Sequence, residues 1–530
     1  MSMNLYSGLR LTAIAAMAGM LGWQFHDVGT RAAAAPAVMA APAVAASSAT
    51  PKTADAPRHW QLGSLTLTAC ELDARNSGAR TAAWCKDFDV PENPAKPDGR
   101  HIKLKLAVIK SDAGDAADKD MVLLLAGGPG EAATQSFVNT SWYADLLKHH
   151  HVVLLDQRGT GGSNPLTCKN TEQAAEQEQD DSVSPDYAKM REWVGKCLTE
   201  VEQKADPRYY TTTIAADDIE AVRKALGSPQ FDILGVSYGT RMAQQYLKHY
   251  PDGVRAVVLD SPVPNQLVLG SSFAQTLESA LKQQFANCTA TPACKQRFGD
   301  PMQTLYQLRD ALAANPHKVS FRDPETFDST ERMLSAPALA SLVRMYAYAP
   351  ETAALLPLSI DAAAHGDVGP LLGQVKLLTG DLSGDMNGGM SMSVICSEDA
   401  DLLKENPADA NTILGNTLVK SIQAQCAVWP HGERPADFHA PLKSDKPILI
   451  LSGELDPVTP PAFGKEILAG LSNGRQLIAK GQGHAVMVRG CMPTLIAQFF
   501  DKINPKGLDA SCLDRLGPTP AFINFNGAAP

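Results

Sequence analysis

Five short runs along this chain are predominantly apolar: residues 121–125 (MVLLL), 152–155 (VVLL), 231–234 (FDIL), 254–259 (VRAVVL) and 447–451 (PILIL). Runs of that length without apolar/polar alternation suit strands covered on both faces, as in a parallel sheet. Residues 103–109 (KLKLAVI) alternate instead, which suits an antiparallel strand at a sheet edge. Helical periodicity lies between the runs and is clearest in 213–227, where Ile214, Ile219, Val222 and Leu226 share a face and Gly227 ends the pattern. Strands alternating with helices predict an α/β fold with a mostly parallel central sheet. From 265 to 430 the rhythm fails, and the chain turns helix-like, rich in Ala, Leu and Met, with a Gly- and Met-rich loop at 380–393. The strand rhythm resumes at Pro447. One sheet interrupted by an inserted helical cap explains this order: core at 58–264, cap at 265–430, core again at 431–530.

The amino terminus changes the picture. A polar start ending in Arg10, an apolar stretch over 11–21 and a small-residue run with A-x-A sites predict an export signal over 1–34. Residues 35–57, rich in Ala, Pro, Ser and Thr, read as a flexible linker. No stretch reaches the roughly 20 apolar residues of a spanning helix, so no membrane span is expected after processing. Ten cysteines in an exported chain predict disulfides, and their order invites neighbour pairing: Cys70 with Cys85, Cys168 with Cys197, Cys288 with Cys294, Cys396 with Cys426, Cys491 with Cys512. Without C-x-x-C or H-E-x-x-H spacing, no metal is expected. The net charge of −10, with Lys and Arg scattered, argues against a nucleic-acid partner.

Candidate chemistry centres on Gly235-Val236-Ser237-Tyr238-Gly239, which follows one apolar run and precedes a helical pattern. Strand, sharp turn and helix are the context of a nucleophile elbow, with glycines admitting close backbone approach. A serine hydroxyl needs a base. Of the twelve histidines, His484 stands in a Gly-rich loop near the end of the chain, and the order Ser, acid, His suits this sheet type. The acid is Asp456, directly after the 447–451 run, or its rival Asp260, at the end of 254–259; the loop of the last strands favours Asp456. His149 to His151 read as a solvated strand entry. Backbone N–H groups in the turn that follows residue 125, AGGPGEA, and that of Tyr238 are candidate oxyanion donors.

Taken in order, LAGGPGEAA, VVLLDQRGTGGSNPL, ILGVSYGTRMAQQYLKHYP, LSGELDPVTPP and GQGHAVM resemble the α/β-hydrolase serine peptidases that include prolyl aminopeptidases and secreted tripeptidyl aminopeptidases. The resemblance implies an α/β-hydrolase fold and an enzyme that needs no cofactor and releases short peptides from substrates with a free N-terminus. It implies a triad of Ser237, Asp456 and His484, oxyanion donors at Gly128 and Tyr238, and support of the glycine turn by Gly127, Asp156 and Arg158. Ala126 stands where prolyl aminopeptidases usually carry His, which leans toward the tripeptidyl branch. An exported carboxylesterase or lipase with the same triad is the alternative, because the triad serves both reactions. A periplasmic or secreted location follows from the signal.

A free ammonium entering a partly desolvated pocket needs an anionic partner. Glu398 and Asp399, just after Cys396, are the candidates in the cap, Glu398 the stronger; the competing reading is that Ser397 and the acids start a helix over 398–406.

Overall fold

The protein is described here from a computed structural model covering residues 58–74, 78–114, 119–168, 185–323, 326–374 and 388–528. The segments read as export signal (1–34) and linker (35–57), and part of the Gly- and Met-rich loop, lie outside the described residues.

Twelve strands follow in chain order: β1 (His59–Leu62), β2 (Leu65–Asp73), β3 (Arg80–Pro91), β4 (His101–Ile109), β5 (Met121–Leu125), β6 (Val152–Leu155), β7 (Phe231–Val236), β8 (Val254–Asp260), β9 (His317–Arg322), β10 (Ser329–Leu334), β11 (Ile448–Gly453) and β12 (Gly474–Ala479). Ten form one sheet in the order β1-β2-β3-β4-β6-β5-β7-β8-β11-β12, parallel from β6 to β12. In these predominantly apolar strands, alternate residues serve different cores. Leu123, Val153, Ile233, Val257 and Ile450 pack on one face with helices Thr212–Leu226 and Tyr238–His249. Val122, Leu154, Leu234, Val258 and Leu449 pack on the other with helix Met492–Lys502. A strand covered on both faces has few polar positions to alternate with, so it reads as a run; the exceptions, Asp232 on β7 and Arg255 on β8, pair with each other.

Three expectations need correction. The alternating stretch at 103–109 is antiparallel but not an edge, since β4 lies between β3 and β6 and the sheet continues to β1. The added strands are half-exposed and carry no unbroken apolar run to announce them. Second, the insertion is not purely helical, because β9 and β10 form a hairpin. Third, His150 and His151 are buried, with His151 Nδ1 accepting from the Ser111 N–H at 2.9 Å and stacked edge-on to Trp60.

The interval 265–430 divides in its packing. Helices Phe273–Thr289, Pro301–Ala314, Ala336–Ala347 and Leu356–Ala364 enclose a core of their own, with Leu277, Leu281, Leu305, Leu339 and Val343. Helices Gly388–Glu398 and Thr417–Cys426 instead send Met390, Val394, Val419 and Ile422 into the core of the sheet. A disulfide between Cys396 and Cys426 joins these two helices. The other bonded pairs are Cys70 with Cys85, Cys168 with Cys197, Cys288 with Cys294 and Cys491 with Cys512. Among the described residues no helix is long and apolar enough to cross a membrane.

Candidate active site

β7 ends at Val236, and the helix Tyr238–His249 starts two residues later, so Ser237 alone makes the turn. Its backbone takes φ 53° and ψ −120°, a region that non-glycine residues enter only when the surroundings impose it. Flanking glycines are what the surroundings require. A Cβ on Gly235 would lie 2.4 Å from the Gly239 carbonyl oxygen, and one on Gly239 would lie 2.3 Å from that of Leu125. The glycine turn after β5 closes on the same spot, since a Cβ on Gly127 would stand 3.4 Å from Ser237 Cβ.

Asp456 and His484 meet directly, with His484 Nδ1 at 2.8 Å from Asp456 Oδ2, both side chains enclosed. A carboxylate can only accept, so Nδ1 carries the proton and Nε2 is left as the basic nitrogen. That Nε2 is buried and has no hydrogen-bond partner among the described residues. Asp456 also accepts from the N–H groups of Val458 and Thr459 and from Thr459 Oγ1. Burial pushes its carboxyl up, but the electrostatic attraction and hydrogen bond of His484, with the Thr459 and Val458 N–H groups, outweigh burial and hold it below the usual range.

Asp260 makes no bond to the imidazole. Its carboxylate accepts from the N–H groups of Val486 (3.0 Å) and Met487 (2.8 Å), while its own carbonyl accepts from the Ser237 N–H at 2.9 Å. Ser261 Oγ accepts from the Ala485 N–H at 2.8 Å. The end of β8 therefore fastens the serine turn with its main chain and the histidine loop with its side chains. Ser261 and Ala485, like Ser237, have positive φ, so the unusual backbone clusters here. Tyr348, beyond helix Ala336–Ala347, accepts from the His484 N–H at 2.8 Å through its carbonyl and stacks edge-on against the imidazole.

The predicted supports divide. Asp156 accepts from Thr134 N–H, Thr134 Oγ1 and Gly162 N–H, tying the segment after the glycine turn to the DQRGTGG loop. The hydrogen bonds of Arg158 go elsewhere than to the turn: its guanidinium pairs with Asp218 at 2.6 and 2.7 Å and donates to the carbonyls of Glu92 and Tyr209. The turn is braced from within, where the Gly127 N–H donates to Glu131 Oε2 at 3.1 Å. Glu131, Thr459, Ser261 and Tyr348 were not singled out from sequence. Only Thr459 left a signal, as the hydroxyl closing the Asp-Pro-Val-Thr turn.

Glu398 and Asp399 are both fully enclosed. Glu398 accepts from the Thr212 N–H at 2.6 Å and from Thr212 Oγ1 at 2.9 Å, and Asp399 pairs with Arg241 at 2.7 Å. Both carboxyls are thus engaged inside the protein. The helix expected over 398–406 is absent; a helix ends at Glu398 instead. The reason is apolar packing, because Met390, Val394 and Cys396 are drawn into the sheet's core.

Residues 120–490 match the α/β-hydrolase fold family. The chain belongs to that family. This α/β hydrolase is 25% identical over 440 residues to the serine protease Hip1 of Mycobacterium tuberculosis, spanning 77% of this chain and 82% of that one. It is 28% identical over 190 residues to the tripeptidyl aminopeptidase of Streptomyces coelicolor, spanning 34% of this chain and 35% of that one. To the proline iminopeptidase of Aeromonas sobria it is 27% identical over 179 residues, 33% of this chain and 36% of that one.

Proposed function

We propose that this α/β hydrolase is an exported serine aminopeptidase that releases short peptides from free N-termini, with Ser237 as nucleophile, His484 as base and Asp456 as orienting acid. The observation that carries the reading is the double attachment at Asp260, which fastens the strained Ser237 turn and the loop of an Asp456-paired His484 to one residue. The relatives named as peptidases favour peptide over ester as the substrate.

In this reading Ser237 Oγ attacks the scissile carbonyl and its proton passes to His484 Nε2. Asp456 stabilises the imidazolium through the Nδ1 bond. The N–H groups of Gly128 and Tyr238 receive the oxyanion. His484 then protonates the departing amine, and water releases the acyl peptide by the reverse sequence. The five disulfides and the amino-terminal pattern favour a periplasmic or secreted location.

A fluorophosphonate is expected to label Ser237, and Ser237→Ala to lower turnover by about 10⁴-fold or more with an unchanged circular dichroism spectrum. A free-amino tripeptide anilide should be cleaved far faster than its N-acetylated form. Labelling at another serine sinks the triad, whereas preference for a short acyl ester over both peptides makes the enzyme an esterase.

A further inference from the structure

The helix Gly388–Glu398 reaches both places where the oxyanion donors are proposed. Near its start, Ser391 Oγ donates to the Pro129 carbonyl in the glycine turn. Gly389 packs instead against the segment after the DQRGTGG loop, where a Cβ would lie 2.4 Å from the Leu166 carbonyl oxygen, to which its N–H donates at 3.0 Å. At its end, Glu398 takes both donors of Thr212, and Thr212 Oγ1 lies 2.7 Å from the Tyr238 hydroxyl. Gln157 Nε2 donates to the same phenol oxygen at 3.1 Å. Tyr238 is the residue after Ser237, so pinning its ring fixes the first peptide of the elbow helix.

We propose that Glu398 is a positioning residue for acyl transfer at Ser237: through Thr212 and the Tyr238 hydroxyl it locks the Tyr238 peptide N–H in the orientation that receives the oxyanion. The inference rests on Ser237 being the nucleophile.

The chemistry suits bracing better than reading a substrate amine. Glu398 has no exposed surface, and both of its oxygens are occupied. Burial pushes its carboxyl up to about 8, with Thr212 and Arg241 opposing and Asp399 adding to the rise. Arg434 and His439 approach only its main-chain carbonyl. With no exposed surface and both oxygens already accepting from Thr212, the carboxyl is placed to hold Thr212 and not to meet an ammonium group entering from solvent.

The test uses the full processed chain, with a free-amino tripeptide anilide, p-nitrophenyl acetate and a tripeptide aldehyde whose hemiacetal mimics the oxyanion. Glu398→Ala and Tyr238→Phe are expected to lower kcat by about 10- to 100-fold on both substrates, with KM held within about threefold, as for a donor misplaced but not removed. Affinity for the aldehyde should fall by the same factor. Glu398→Gln, which keeps an acceptor for Thr212, should stay within about threefold of the parent. Parental kcat in Tyr238→Phe overturns the proposal, and that variant decides alone if Glu398→Ala does not fold. So does a loss confined to the free-amino peptide and shared by Glu398→Gln, which would make the carboxylate an amine reader. Phosphonate labelling of Ser237 in the parent separates the levels: without it the site reading fails and this inference with it, whereas labelling with unimpaired variants removes only the positioning role.

Discussion

On the serine side of the site the chain is held by backbone lying against backbone over five consecutive residues, whereas the histidine side is assembled from segments at 260–261, 453–459 and 482–487 joined by buried carboxylates. Gly235 and Gly239 lie so near main-chain atoms that an added Cβ would stand 2.4 and 2.3 Å from a carbonyl oxygen, and Ser237 between them takes a positive φ of 53°. Asp456 and Asp260 instead hold their partners by accepting hydrogen bonds, one from the imidazole and one from the main chain beyond it. Steric fixing is indifferent to pH and intolerant of added volume. Electrostatic fixing tolerates volume better and follows protonation.

The sharpest break in that comparison comes from Asp456→Asn. Losing the acceptor that sets the His484 tautomer should lower kcat by about 10³- to 10⁴-fold while the melting temperature moves little. A loss of tenfold or less would move the orienting role elsewhere.

Gly239→Ala tests the steric side. Its Cβ would meet the carbonyls of Leu125 and Ala126 at 2.3 and 2.6 Å, so the strand or the helix must shift. Denaturant unfolding should show a loss of about 3 kcal/mol, equal at pH 5 and pH 8. A soluble variant of parental stability would mean the elbow is looser than the backbone contacts imply.

The smallest effect separates the two acids. Asp260→Asn should cost only about tenfold in kcat, because it loosens the histidine loop without touching the ring. Burial raises Asp260 to about 6, against the Val486 and Met487 donors and His484, from an ordinary 3.8. The folded protein therefore holds that proton more tightly than the unfolded chain. The associated stability is complete below about pH 4 and is lost as pH rises through 6. In Asp260→Asn this contribution disappears, so the melting temperature should depend less steeply on pH across that window in the direction of falling stability. An unchanged slope would show that Asp260 does not titrate there.

The same contrast governs what could be read from sequence. The elbow is local: strand, serine between glycines and helix occupy one stretch, so the chemistry and its steric cause are adjacent in the chain. The parallel core was legible because burial on both faces leaves predominantly apolar runs that do not alternate. β1 to β3 were not, because a half-exposed antiparallel strand buries too little for its pattern to rise above loops. Chain order favours Asp456 over Asp260, because the loop of the last strands must reach the histidine; which atoms of each carboxylate accept, and from what, only the structure gives.

The sequence by itself determined the α/β order, the place of the serine turn, the candidate histidine and the neighbour order of the cysteines, because each is written in residues close along the chain. Tertiary structure alone decided that Arg158 pairs with Asp218, that Tyr348 meets His484, and that Glu398 is closed inside the protein against Thr212. Those contacts join residues between 60 and 186 positions apart. A side chain's partner at that separation is set by how helices and sheet pack, and a carboxyl reads the same in sequence whether packing leaves it open to a substrate or spends both its oxygens on a neighbour.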